Sequence, residues 1–326
     1  MKQNNDLIIT TENLSKKFGG ITAVNGLNLD VKKGEIFGLV GPDGAGKTTT
    51  IRMLVAIMLP TDGVAAVAGY DTVKEAEAIK HHIGYMAQQF NLYSDLSVSE
   101  NLNFFADIFA VRGKIRRERI DRLLNFARLT EFTNRRAGHL SGGMKKKLAL
   151  ACSLIHQPDI LFLDEPTTGV DPVSRREFWD ILANLHIQGV TILVSTPYMD
   201  EAERCSRVGL MYQGDIIECD TPENIKGLIA GELLELKPVS EALRGVGLLR
   251  RAKQIVALLD GVLEVQTFGD LLHIFVDNVA ARQTAIVGAL QAEGIGSQNL
   301  RRTRPRMEEA FISLVRREKG EDKSQD

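Results

Sequence analysis

The chain has 326 residues, 44% of them hydrophobic and 25% charged, which is ordinary globular composition with room for two domains. A formal net charge of -2 supplies no overall field toward nucleic acid or an anionic membrane surface and argues against a dedicated DNA binder. Cys152, Cys205 and Cys219 lack paired spacing, so neither a disulfide framework nor a zinc site is expected and a reducing cytoplasm is the natural compartment. The polar opening MKQNNDLIITTENL lacks the apolar core of a signal peptide, and no run approaches the roughly 18 apolar residues of a spanning helix.

From Ile8 to about Cys219, short β-branched runs alternate with amphipathic segments: IFGLV at 36–40, ILFLD at 160–164, VTILVS at 190–195 and VGLMY at 208–212. Strands alternating with helices predict a mainly parallel sheet covered by helices. Ser97 to Leu140 is rich in charge and has no strand-like run, so it reads as a helical insert. Near Asp220 the pattern changes. Thr221 is a candidate helix N-cap with Pro222 at the first helical position. Then come a strand at LLELKP, a helix over Leu248 to Leu259, strands at VLEVQT and LLHIFVD around the Phe268-Gly269-Asp270 turn, and helices over Ala280 to Glu293 and Met307 to Val315. This predicts a small α+β domain of ordinary size, followed by a tail with nothing apolar to bury. No internal repeat is apparent.

The run Gly41-Pro42-Asp43-Gly44-Ala45-Gly46-Lys47-Thr48, continuing into Thr49, fits G-x-x-x-x-G-K-[ST] between an apolar strand and a helical segment. Glycines let backbone N–H groups turn inward around phosphates, and the helix N-terminus adds a favourable dipole. Lys47 is then placed for β- and γ-phosphate oxygens, and the Thr48 hydroxyl for Mg²⁺. At Ile160 to Glu165 a buried-looking strand ends in Asp164-Glu165. A carboxylate at a strand's C-terminal edge beside such a loop suits Mg²⁺, and a second suits the attacking water. Asp164 is therefore the expected metal group and Glu165 the general base or water-positioning group.

Just upstream stands Leu140-Ser141-Gly142-Gly143-Met144, which resembles the LSGGQ signature of the ABC ATPase family. The resemblance covers residues 6–220 and implies a P-loop NTPase α/β core of the ABC type with a helical subdomain at about 97–150. A C-terminal accessory α+β domain would occupy 221–316, of the kind many ABC-2-type exporter subunits carry, and a flexible tail 317–326. It also implies that Gln88 belongs to the glutamine loop that touches Mg²⁺ and the attacking water, that Phe18 stacks on adenine, and that Gly169-Val170-Asp171 is the D-loop. In the family two such domains pair head to tail, so Ser141, Gly142 and Gly143 would complete the ATP site of a second ABC domain. The implied protein is a cytoplasmic ATP subunit, peripheral on the inner face of the membrane, that binds ATP and Mg²⁺ and drives separate ABC-2-type membrane permease subunits. Met144 replaces the usual glutamine, as in many relatives of that type. Asp43 stands where asparagine is commoner.

One departure touches chemistry. After the strand VTILVS the family carries a histidine that contacts the γ-phosphate; here the run is Ser195-Thr196-Pro197-Tyr198 and the histidine position is Pro197. Proline offers neither a side-chain donor nor an amide N–H. Either Thr196, Ser195 or a water covers the lost contact, or the chain is the weak half of an asymmetric pair whose partner hydrolyses ATP. A non-transport ABC ATPase is a rival reading, although this chain shows neither a second core nor coiled-coil arms. Lys145-Lys146-Lys147 and Arg112 to Arg122 read as solvated helix faces rather than nucleic-acid contacts, and Arg301 to Arg306 as structural. The six histidines, at 81, 82, 139, 156, 186 and 273, read as ordinary loop or surface residues.

Overall fold

The computed structural model of the chain describes residues 6–89 and 92–318. The fold divides into two compact units, one ending at Pro222 and the other beginning at Glu223. In the first, β1 (Leu7–Phe18) and β2 (Ile21–Lys32) form a hairpin, and β3 (Ile36–Val40) runs through the glycine loop into α1 (Lys47–Leu54). Then come β4 (Asp62–Val67), β5 (Tyr70–Asp71), α2 (Ala76–His82) and β6 (Ile83–Met86). A helical stretch follows, with α3 (Val98–Ile108), α4 (Gly113–Phe126) and α5 (Gly142–Ser153). The unit continues with β7 (Ile160–Asp164), α6 (Pro172–Ile187), β8 (Thr191–Thr196), α7 (Met199–Ala202), β9 (Arg207–Tyr212) and β10 (Asp215–Asp220).

Among the described residues these strands make two sheets. The larger has the order β10-β9-β3-β8-β7-β6, parallel except for β10 at one edge. Every residue of β3, β7 and β8 is buried, which is why these strands read as unbroken apolar runs: both faces are covered. The second sheet, order β2-β1-β4-β5, is antiparallel and was not part of the mainly parallel expectation. The β1–β2 ladder shifts register at several points, so its sequence lacks the clean alternation that announces a half-buried strand. Ile51, Met53 and Leu54 of α1 are fully buried in one cluster with Ile9 and Leu14 of β1, Val67 of β4, Phe37 of β3 and Phe162 of β7. The helix that carries the glycine loop is therefore fixed by apolar contacts to both sheets.

Side-chain caps open α3 and α6. Ser97 and Glu100 form a reciprocal capping box at α3. Asp171 accepts from the amides of Val173 and Ser174 at the head of α6, with Pro172 in its first turn, so the last residue of the expected D-loop is also an N-cap.

In the second unit α8 (Pro222–Gly227) is followed by β11 (Glu232–Val239), α9 (Gly245–Val256), β12 (Val262–Phe268), β13 (Leu271–Val276), α10 (Val279–Ala292), β14 (Gly296–Thr303) and α11 (Met307–Glu318). The antiparallel order β12-β13-β11-β14 with its β-α-β-β-α-β succession is the split-βαβ arrangement. Leu234, Leu236, Leu272 and Ile274 of the sheet pack with Ala252 and Val256 of α9 and Ile286 and Leu290 of α10. The strand β14 was not foreseen. Its residues GSQNLRRT are largely polar and only partly covered, and its arginines serve structure: Arg301 pairs with Glu235 at 2.7 Å and Arg302 with Glu232 at 2.7 Å. Helix α11 carries Arg317 and Glu318, which were expected in the tail; residues 319–326 of that expectation lie outside the described residues.

The histidines also need correction. His273 on β13 is buried, its Nδ1 2.8 Å from Glu309 Oε1 and its Nε2 3.5 Å from Glu235 Oε2, with the ring stacked on Phe268. His156 is half-buried, stacked on Phe109, and its burial pushes the pKa down. Two carboxylates far from His273 in sequence make it a paired interior group, which no local spacing reveals.

Because Ile274 is fully buried at the centre of the second unit's core, Ile274→Ala is expected to cost about 2–5 kcal/mol. Urea titration followed by circular dichroism measures it; a loss below about 1 kcal/mol contradicts the packing described.

Candidate functional site

The site lies at the C-terminal ends of β3 and β7, where their chain leaves the sheet. The amide of Gly41 donates to the Thr196 carbonyl at 3.3 Å, and the loop turns through Gly44 and Gly46, both at positive φ. At Gly46, with φ 108°, a Cβ would overlap the Ala23 carbonyl oxygen and press on the Met211 methyl, so only glycine fits. Gly46 is also the N-cap of α1, and no side chain caps that helix, which leaves its first-turn amides open to an anion.

Lys47 is 4% exposed, and its ammonium is held from three sides: Gly41 O at 2.8 Å, Pro42 O at 2.9 Å and Glu165 Oε1 at 3.3 Å. Thr48 donates to Asp164 Oδ1 at 3.0 Å, and Ser195 donates to the same oxygen at 2.7 Å. Asp164 Oδ2 is buried without a hydrogen-bond partner. An orphaned carboxylate oxygen beside a threonine hydroxyl is a donor set of hard oxygens, which suits Mg²⁺. Glu165 sits at φ 47°, its amide anchored on Ser195 at 3.0 Å and its Oε2 accepting from Gln88 Nε2 at 2.8 Å. A non-glycine residue held in the left-handed region is strained, and here Ser195 and Gln88 hold it.

A cleft of about 440 Å³ brings together Phe18, Asp43, Gly44, Gly46, Lys47, Thr48, Thr49, Gln88 and Glu165. That size suits a small organic ligand. Phe18 is 48% exposed with Lys16 Nζ 5.2 Å from its ring centre, and Asp43 is exposed on the loop. Ser141, Gly142 and Gly143 are not among the residues lining this cleft. They open α5, where Ser141 Oγ accepts from the Met144 amide and Gly143 leaves only 2.6 Å between an added Cβ and Ser174.

Sequence reasoning missed several contributors. Ser195 was weighed only as a stand-in for histidine, yet it ties Asp164 to the Glu165 backbone. Glu201 is fully buried, accepting from Thr167 at 2.7 Å and Thr196 at 2.6 Å, with Arg175 Nε 3.1 Å away. The Thr196 hydroxyl is thus directed to Glu201, and Pro197 follows it. Lys146 and Lys147 do not lie on a solvated face. Lys147 is buried and ion-paired with Glu177 of α6; Lys146 is half-buried and donates to the Gln88 carbonyl at 3.2 Å. Helix α5 packs against α3, α6 and β6, and the partners of its two lysines, Glu177 and the Gln88 carbonyl, lie on other segments.

The ABC transporter family model matches residues 24–168. The chain is 42% identical over 313 residues to "Probable multidrug ABC transporter ATP-binding protein YbhF" of Escherichia coli K12, covering 95% of this chain and 52% of that protein. It therefore spans about half the length of that relative. It is 34% identical over 308 residues to "Daunorubicin resistance ATP-binding protein DrrA2" of Streptomyces coeruleorubidus, covering 94% of each. The fold is similar to that of a dimeric ATP-binding cassette bound to ADP and Pi in a post-hydrolysis state: TM-score 0.60, 28% identity, 66% of this chain and 98% of that one.

Gly46→Ala is expected to weaken ATP binding at least about 100-fold, since the loop must move off its amide-inward geometry. Titration with a fluorescent ATP analogue reads this, and affinity within threefold of the parent contradicts the strained-loop account.

Proposed function

The chain belongs to the ABC transporter family of ATP-binding proteins, and from that premise we propose that it binds and hydrolyses Mg-ATP to drive export through separate membrane subunits. The observation that carries this is the meeting of Thr48 with Asp164 at 3.0 Å, beside the Lys47 and Glu165 pair and the unpartnered Asp164 Oδ2.

Each residue then has a task. The loop amides from Gly41 to Thr49 cradle the phosphates, and Phe18 stacks on adenine. Thr48, Asp164 and Gln88 would hold Mg²⁺, which supplies charge neutralisation at the phosphates when bound. Lys47 exchanges its contact with Glu165 for phosphate oxygens. That exchange releases a Glu165 oxygen, and with Gln88 it orients a water in line with the γ-phosphorus and takes its proton as the bond to ADP breaks. Ser141, Gly142 and Gly143 serve the phosphates of a second ABC domain in a head-to-tail pair, so ATP is bound between subunits and its hydrolysis releases them. ABC-2-type permease subunits hold the pair on the cytoplasmic face of the membrane. Among the described residues no helix is long and apolar enough to cross a membrane.

A second reading is favoured by one observation. Pro197 offers no donor, the Thr196 hydroxyl is directed to Glu201 and the Ser195 hydroxyl to Asp164. Neither neighbour is free to replace a γ-phosphate contact. Loss of one preorganised donor costs about 10² to 10³ in turnover. In this reading the chain binds ATP well but hydrolyses it slowly, and a partner domain with an intact histidine does most of the hydrolysis.

Tagged chain recovered from detergent-solubilised membranes of its own host is expected to bring polytopic membrane proteins with it in near-stoichiometric amount. Recovery only from the soluble fraction, without membrane proteins, contradicts the transport reading.

A further inference from the structure

Helix α5 begins at Ser141-Gly142-Gly143, and one turn later it carries Lys146, on the same side as Gly142 and Gly143 by helical spacing. Lys146 Nζ donates to the Gln88 carbonyl oxygen at 3.2 Å, and Gln88 Nε2 donates to Glu165 Oε2 at 2.8 Å. A continuous chain of contacts therefore runs from the signature helix through the glutamine loop to the carboxylate at the end of β7. The neighbouring lysines do other things: Lys145 is exposed, and Lys147 is spent on Glu177.

We propose that Lys146 is a positioning residue, one that holds Gln88 so that its side chain orients Glu165, and that ties this orientation to the stance of the signature helix. The electrostatics agree with the geometry. Half-burial pushes the Lys146 ammonium's pKa down, while the charges of Glu165 and Asp164 pull it back up, so the cation sits within their field. A hydrogen bond to a backbone carbonyl fixes where the loop lies, and a neighbouring positive charge offsets two buried carboxylates. Because Ser141, Gly142 and Gly143 face a second domain's nucleotide in the proposed function, a shift of α5 there reaches this chain's own Glu165 through Lys146. The inference rests on that reading for its catalytic consequence, and on geometry alone for the contact.

Two measurements on the full-length purified chain separate the two. Amide hydrogen exchange read by mass spectrometry over residues 83–89 reports the contact without any turnover. Lys146→Met is expected to speed exchange there several-fold, and Lys146→Arg to restore it. Single-turnover hydrolysis of radiolabelled ATP reports the consequence: Lys146→Met is expected to lower the rate at saturating ATP about tenfold, with half-saturation within twofold, and Lys146→Arg to recover it. Unchanged exchange in Lys146→Met overturns the proposal, as does an equal loss of rate in both variants, which marks a merely structural lysine. Absence of hydrolysis in the parent chain contradicts the proposed function instead, and the exchange result alone then decides whether Lys146 holds the loop.

Discussion

One adjacency sets the chemistry: β3 and β7 both pair in parallel with β8, so the residues that leave their C-terminal ends emerge side by side. From β3 comes the glycine loop with Lys47 and Thr48; from β7 come Asp164 and Glu165. Between them, β8 contributes Ser195, whose hydroxyl touches Asp164 and anchors the Glu165 amide. The strand register alone thus brings a threonine at the head of a helix within 3.0 Å of an aspartate 116 residues later. Burial of all three strands on both faces makes that register costly to shift.

The charged groups of the site satisfy one another. Lys47 is held by two loop carbonyls and Glu165, and Glu165 by Lys47 and Gln88. A buried ammonium and carboxylate stripped of partners are expensive, so each serves as the other's counter-ion. The same economy explains Glu201, which gathers Thr167, Thr196 and Arg175 below the loop that follows the acid pair. Thr167 belongs to the turn leading to Asp171, and Thr196 precedes Pro197, so this buried carboxylate braces both segments.

Much of this was legible in the sequence, for identifiable reasons. The glycine loop has invariant steric demands, and its flanking strand is apolar throughout because both faces are covered. Asp164-Glu165 at the end of ILFLD reads the same way. What escaped was set by contacts distant in sequence. The β1–β2 ladder is bulged and polar, β14 is a partly exposed strand of mostly polar residues, and neither shows a clean two-residue period. Lys147 reads as solvated until Glu177, on another helix, is placed beside it. His273 reads as a loop residue until Glu235 and Glu309 converge on it. Lys146 has no local signal at all, since the carbonyl it holds lies 58 residues earlier.

Pro197 is where sequence and structure bear on function together. Pro197 offers no donor, and the two neighbouring hydroxyls are directed to other carboxylates, which is the ground for the proposed second reading in which binding and hydrolysis separate. The most direct test compares steady-state Mg-ATPase turnover of the purified parent chain with that of Pro197→His, alongside ATP affinity. Both readings predict clear ATP binding by both proteins, and the slow-turnover reading predicts very slow turnover in the parent and a rise of about 10² or more in the variant. Vigorous turnover by the parent, abolished by Glu165→Gln and unaltered by Pro197→His, would contradict it.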